Sequence, residues 1–167
     1  MNDAPNSVFL KDEEATLAAG AVLARLLEGH GLVTLQANLG GGKTTLSRGL
    51  IQAMGHRGAV KSPTYTLVES YDLGPWRVLH YDLYRLSDPE ELAFLGMRDF
   101  LDADTLTLVE WPERAGNFLP TPDLALELQV EGRGRRLSWQ GRSARGQTLS
   151  LSLQETLRAL LAQANKS

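Results

Sequence analysis

The sequence predicts an α/β fold, a mixed sheet with a parallel centre and antiparallel additions, flanked by helices. Three observations predict it. The apolar run Leu32 to Ala37 passes through a glycine turn directly into a helical pattern, which is half of a parallel crossover. TYTLVESY and RVLHYDLY flank the turn sequence DLGP with period-two alternation, the signature of an antiparallel hairpin. DLALELQVE and RRLSWQG repeat that arrangement later in the chain. The 167 residues suit one continuous core, and no repeat, low-complexity stretch or long linker divides them. A single domain over residues 1–167 is therefore expected.

In chain order, Ser7 to Leu10 is a short β-leaning segment. Asp12 precedes EEATLAAGAVLARLLEG, whose apolar residues recur at helical spacing. Asp12 suits the N-cap, Glu13 and Glu14 suit the positive end of the helix dipole, and Gly29 or Gly31 can end the helix. TTLSRGLIQAM is read as a second helix closed by Gly55. Ser87-Asp88-Pro89-Glu90 has the form of a capping box, which makes EELAFLG a short helix. Leu106 to Trp111 is another apolar strand, PERAGNFLPTP a loop, and QETLRALLAQA a C-terminal helix.

Composition narrows the function. Hydrophobic residues at 43% and charged residues at 22% are ordinary for a folded protein. The net charge of −3, from 17 basic and 20 acidic residues, offers no general attraction to nucleic acid or an anionic membrane. Any RNA would be met through a local patch or a partner protein. The chain has no cysteine, which excludes disulfides, thiolate metal sites and cysteine nucleophiles. MNDAPNSVFLKDEE lacks the basic and apolar regions of a signal peptide, and no apolar run nears the roughly 20 residues that span a bilayer. A cytoplasmic protein is expected.

The strongest chemical signal is Ala37-Asn38-Leu39-Gly40-Gly41-Gly42-Lys43-Thr44-Thr45. A triphosphate must be taken out of water and held still. Glycines let successive backbone N–H groups converge on phosphate oxygens, and the helix that follows adds its unsatisfied N–H groups. Lys43 would reach the β- and γ-phosphates and the Thr44 hydroxyl would ligate Mg²⁺. Ala37 stands where the usual G-x-x-x-x-G-K-[ST] pattern has its first glycine. The strand before and the helix after support the assignment nonetheless.

Acidic groups are needed to hold magnesium and to position water. Asp82 and Glu110 each end an apolar strand, where open α/β sheets bind ligands. Glu110, between Val109 and Trp111, is poorly explained as a solvated charge. Thr64, in Lys61-Ser62-Pro63-Thr64, lies where a threonine can meet the γ-phosphate, although the same residues suit an ordinary turn. His80 shares a strand face with Asp82 and reads chiefly as a packed histidine. Trp111 reads as packing beside the site and as a reporter of nucleotide binding. Arg133, Arg135, Arg136, Arg142 and Arg145 suit either a phosphate-binding stripe or a solvated hairpin.

LGGGKTTLSRG, VKSPTYTLVESY, HYDLYRL with DPEELAFLG, and LVEWPE resemble, in order and spacing, the TsaE (YjeE) family over roughly residues 8 to 140. The resemblance implies a P-loop ATPase serving synthesis of threonylcarbamoyladenosine beside the tRNA anticodon. It would act with the TsaD and TsaB proteins, meet tRNA through that complex, and not be the transferase itself. ATP and Mg²⁺ are the implied cofactors. Gly40, Gly41, Gly42, Lys43, Thr44 and Thr45 would bind nucleotide, with Thr44 and Glu110 attending to the metal. Lys43, Asp82, Glu110 and Thr64 would carry catalysis, and Leu10, Asp12 and Arg133 match positions lining the nucleotide. The family usually reads G-[DE]-L-G-A-G-K-T-T, so Ala37, Asn38 and Gly41 depart from it, and no catalytic acid is carried over to Asn38. A small-molecule kinase using the same loop is the alternative, although no lid insertion is evident. A GTPase lacks its N-K-x-D motif here.

Overall fold

The structure is a computed structural model that describes residues 6–37, 42–94, 97, 101 and 104–164. Seven strands form one sheet: β1 (Ser7–Leu10), β2 (Gly31–Ala37), β3 (Val68–Leu73), β4 (Trp76–Asp82), β5 (Thr105–Glu110), β6 (Leu124–Glu131) and β7 (Gly134–Gly141). Their order is β1-β7-β6-β2-β5-β4-β3. The four central strands, β6-β2-β5-β4, run parallel, and β3, β7 and β1 are antiparallel additions. The expected mixed sheet is therefore present. All six residues of β5 are buried, as a central parallel strand covered on both faces requires.

Helices α1 (Glu13–Leu27), α2 (Lys43–Ala53) and α4 (Ala144–Ala164) bury their apolar stripes on one sheet face, against Val33, Leu35, Leu108 and Leu126. The opposite face holds a smaller cluster with Leu79, Tyr81, Leu83, Leu92 and Val109, next to α3 (Glu91–Phe94). Asp12 caps α1 by accepting a hydrogen bond from the Ala15 N–H at 2.8 Å. The helix stops at Leu27 because Glu28 turns left-handed at φ 54°, just before Gly29. Among the described residues no helix is long and apolar enough to cross a membrane.

Three stretches depart from expectation. Thr64 to Leu67 form a turn, not the start of β3: Leu67 takes φ 68°, and its N–H donates to the Pro63 carbonyl at 2.8 Å. PERAGNF folds into 3-10 turns over Pro112–Phe118, interrupted at Gly116. Helix α4 begins ten residues before the expected Gln154, at Ala144. The segment TLSLSL alternates like a strand, yet Leu149, Leu153 and Leu157 are also spaced by four, and this stripe is what the core buries. In the turn that leads into α3, Asp88 accepts from the Glu90 N–H at 3.0 Å.

Asp123 ties three elements together at the end of the sheet away from the glycine turn. Its carboxylate accepts from the Leu32 N–H at 3.0 Å and from the Ser143 hydroxyl at 2.7 Å, with Arg145 at 3.9 Å. Asp123→Ala should lower unfolding stability by about 1–3 kcal/mol, because it leaves a part-buried N–H without its acceptor. Urea unfolding checks this, and ligand binding at the other end of the sheet should be unchanged.

Candidate functional site

The carboxyl ends of β2, β4 and β5 lie side by side, and Asp82 pairs directly with Glu110 across the two parallel strands. Lys43 is the first residue of α2, preceded by Gly42 at φ 95°. A Cβ at Gly42 would meet nothing closer than 3.6 Å, so glycine is required here by the backbone angle and not by space. Gly40 and Gly41 of the predicted loop, with Asn38 and Leu39, lie outside the described residues.

Lys43 is buried, and its Nζ lies 3.7 Å from Glu110 Oε1 and 4.4 Å from the centre of the Trp111 ring. Glu110 is only 3% exposed, so the strand-end carboxylate is a buried charge neutralised by a buried ammonium. Its other oxygen, Oε2, lies 2.5 Å from His80 Nε2. Asp82 is buried as well. Its Oδ2 accepts from the Thr64 hydroxyl at 2.9 Å and its Oδ1 accepts from the Tyr84 N–H at 3.0 Å. Ser62 Oγ lies 2.7 Å from Thr64 Oγ1, so the exposed turn is fastened to the end of β4.

Backbone strain gathers in the same place. Among the described residues, three non-glycine residues have positive φ, and two of them, Leu67 and Trp111, border this site. The turn at Trp111 directs its ring to Lys43 on one side and to Tyr84 on the other, with the latter ring centre 5.0 Å away.

A second group of predicted residues meets on the other side of α2. Leu10, Asp12, Gly42, Thr45 and Arg133 line a cleft of about 160 Å³, together with Glu13, Thr16 and Arg135. Strand β1 brings Leu10 opposite Arg135 of β7, which is how residues more than a hundred positions apart converge. Thr44 is exposed in the first turn of α2. A larger groove of about 800 Å³ lies elsewhere, lined by Gln36, Glu127, Ser138, Gln140 and Arg142; of the predicted residues among those described, only Arg142 of the late arginines borders it.

The late arginines do not form one stripe. Arg145 donates to the carbonyls of Leu27 and His30, and Arg136 pairs with Glu131 at 2.9 Å. Arg135 lies 3.6 Å from where a Gly42 side chain would begin, beside the start of α2. Sequence reasoning missed Arg135 as a residue of the cleft and His80 as the partner of Glu110. Neither has a local signal, because both depend on which strands pair.

The arrangement offers a helix N-terminus, a lysine, hydroxyls and two buried carboxylates at the carboxyl ends of the central strands. A polyanion suits the first two, and a hard cation suits the oxygens. Among the described residues no cluster of three or more His, Cys, Asp or Glu could hold a metal by itself. That donor set fits magnesium, which usually takes one or two carboxylates and completes its shell with phosphate oxygens and water.

Residues 10–137 match the sequence model of the family described as Threonylcarbamoyl adenosine biosynthesis protein TsaE. A tRNA threonylcarbamoyladenosine biosynthesis protein TsaE from Haemophilus influenzae is 42% identical over 134 residues, covering 77% of this chain and 85% of that protein. The protein of the same name from Aquifex aeolicus is 34% identical over 131 residues, covering 77% and 90%. Among solved structures, Bacillus subtilis YdiB superposes with a TM-score of 0.77 at 23% identity, covering 90% of this chain and 94% of that one, a likeness of fold.

Proposed function

The chain belongs to the TsaE family of tRNA threonylcarbamoyladenosine biosynthesis proteins, and from that membership we propose that it is a magnesium-dependent ATPase. In this reading it works as a slow switch beside the transferase, with TsaD and TsaB as its partners and tRNA met through their complex. The observation that carries the reading is Lys43, set on the first turn of α2 behind a left-handed Gly42 and facing buried Glu110 at 3.7 Å.

Each residue then has a physical task. The N–H groups of the first turn of α2 and the Lys43 ammonium bind the phosphate chain. Leu10, Asp12, Thr45 and Arg133 border the remainder of the nucleotide, with Gly40 and Gly41 completing the loop. Thr44 and Glu110 would hold the magnesium ion, which when bound neutralises charge developing on the phosphoryl oxygens. Asp82 holds Thr64 by its hydroxyl, so the turn that carries Thr64 is positioned to respond to the terminal phosphate. No obvious arginine finger lies within the sequence motifs, which supports slow turnover by the chain alone and completion of the site by a partner.

The experiment is to measure inorganic phosphate released from ATP, with and without the TsaD–TsaB pair and tRNA. Slow release alone and faster release with the assembled partners is the expected result. A phosphorylated metabolite in place of free phosphate would replace the switch with a kinase. ATP turnover that ignores the partners would remove the switch role.

A further inference from the structure

His80 has no task in the reading above, yet its side chain has no solvent exposure and lies in the site. It sits two residues before Asp82 on β4, so both side chains point to the helix-covered face. Its Nε2 is 2.5 Å from Glu110 Oε2. A carboxylate has no proton to give, so the ring nitrogen must be the donor, and this places the proton on Nε2. Nδ1 is buried without a hydrogen-bond partner among the described residues, so a second ring proton would have no acceptor there. Among the described residues the ring is therefore held through Nε2 alone, whose N–H is directed to Glu110.

Glu110 Oε1 faces Lys43 at 3.7 Å. A phosphate chain would compete for that ammonium, because it too is anionic and lies at the start of α2. His80 would then be the group that still fixes the carboxylate. The geometry points to His80 as a positioning residue: it pins Oε2 of Glu110 so that Oε1 is presented to magnesium at the phosphate end of the site. Carboxylates that ligate metals depend on such outer hydrogen bonds for their orientation. The inference rests on the proposed role of Glu110.

The test compares His80→Gln, whose amide N–H can reach the place of Nε2, with His80→Leu, which fills the space without a donor. Each is made alone, and His80→Leu is also combined with Glu110→Ala. In His80→Leu, ATP turnover should fall roughly 10- to 100-fold, and half-maximal binding should need correspondingly more magnesium. ATP affinity in EDTA should stay within about twofold, since the phosphate loop is untouched. His80→Gln should regain most of the loss, and adding His80→Leu to Glu110→Ala should change nothing further.

Long-range ¹H–¹⁵N spectra of the nucleotide-free wild-type protein should show His80 with a slowly exchanging Nε2 proton, which becomes fast-exchanging in Glu110→Ala. That readout needs no ATP, so it separates failure of this inference from failure of the nucleotide reading. An Nδ1–H tautomer overturns the inference. So does a folded His80→Leu protein with wild-type magnesium dependence, or a His80→Gln protein no better than His80→Leu. If His80→Leu does not fold, the spectra and the magnesium titration of His80→Gln still decide.

Discussion

Lys43→Ala is expected to reduce ATP turnover to background, a loss of at least roughly 10²- to 10³-fold, because a preorganised charge at the transferred phosphoryl group is removed. Nucleotide binding should weaken strongly as well. The structure adds an effect in the free protein. Lys43 is the cation facing buried Glu110, so among the described residues the alanine leaves that carboxylate with the His80 hydrogen bond alone. Breaking a buried ion pair from one side costs about 3–5 kcal/mol at most, and the remaining donor should reduce that. The variant should therefore unfold earlier than wild type while keeping its fold at room temperature. Circular dichroism establishes the fold, phosphate release gives turnover, and Trp111 fluorescence reports binding. Wild-type-like turnover in a folded Lys43→Ala protein would remove the phosphate-loop assignment.

Gly49→Ala is the second large expectation, and its sign is opposite to what helix propensity suggests. In an isolated helix, alanine is better than glycine by about 1 kcal/mol. Here α1 and α2 cross so closely that a Cβ at Gly49 would stand 2.4 Å from the Leu17 carbonyl oxygen and 2.9 Å from the Leu17 Cα. Gly20 faces the same crossing from α1, where a Cβ would lie 2.4 Å from the Leu46 carbonyl oxygen. These neighbours are backbone atoms, so relief requires the helices to separate. Overpacking typically costs about 1–3 kcal/mol, and contact with backbone belongs at the upper end. Gly49→Ala should thus lower unfolding free energy by about 2–3 kcal/mol net in urea titration. Because α2 carries Lys43 and Thr44 on its first turn, phosphate affinity should fall with it. A variant as stable as wild type would show that the helices do not pack this closely.

Local chemistry was legible without the fold. Asp12 caps α1 as its spacing implies, and DLGP closes the β3–β4 hairpin. Gly42 takes the left-handed angle that the turn into α2 needs. The burial of Glu110 was also foreseeable, since a charge between Val109 and Trp111 at the end of an apolar strand has little reason to be solvated. What was misread were segments whose local pattern supports two answers. The C-terminal helix was expected only from Gln154, although TLSLSL before it fits a helix as well as a strand, and Thr64 to Leu67 continue an alternation that the chain abandons to place Thr64 on Asp82. The late arginines looked alike in sequence and proved to serve different neighbours, Arg136 on β7 pairing with Glu131 and Arg145 in α4 donating to His30.

The sequence by itself determined the α/β class, the family, and the turn-and-helix unit that begins at Gly42 and Lys43. Those depend on residues within a few positions of one another, where backbone angles, caps and periodicity act. Only the tertiary structure decided that Glu110 would stand between Lys43 and His80, that Arg135 would share a cleft with Leu10, and that Gly49 must lack a side chain. Each of these is a contact between distant segments, set by strand order and helix crossing, and burial makes such contacts count because a charge or a backbone group removed from water must find its partner there.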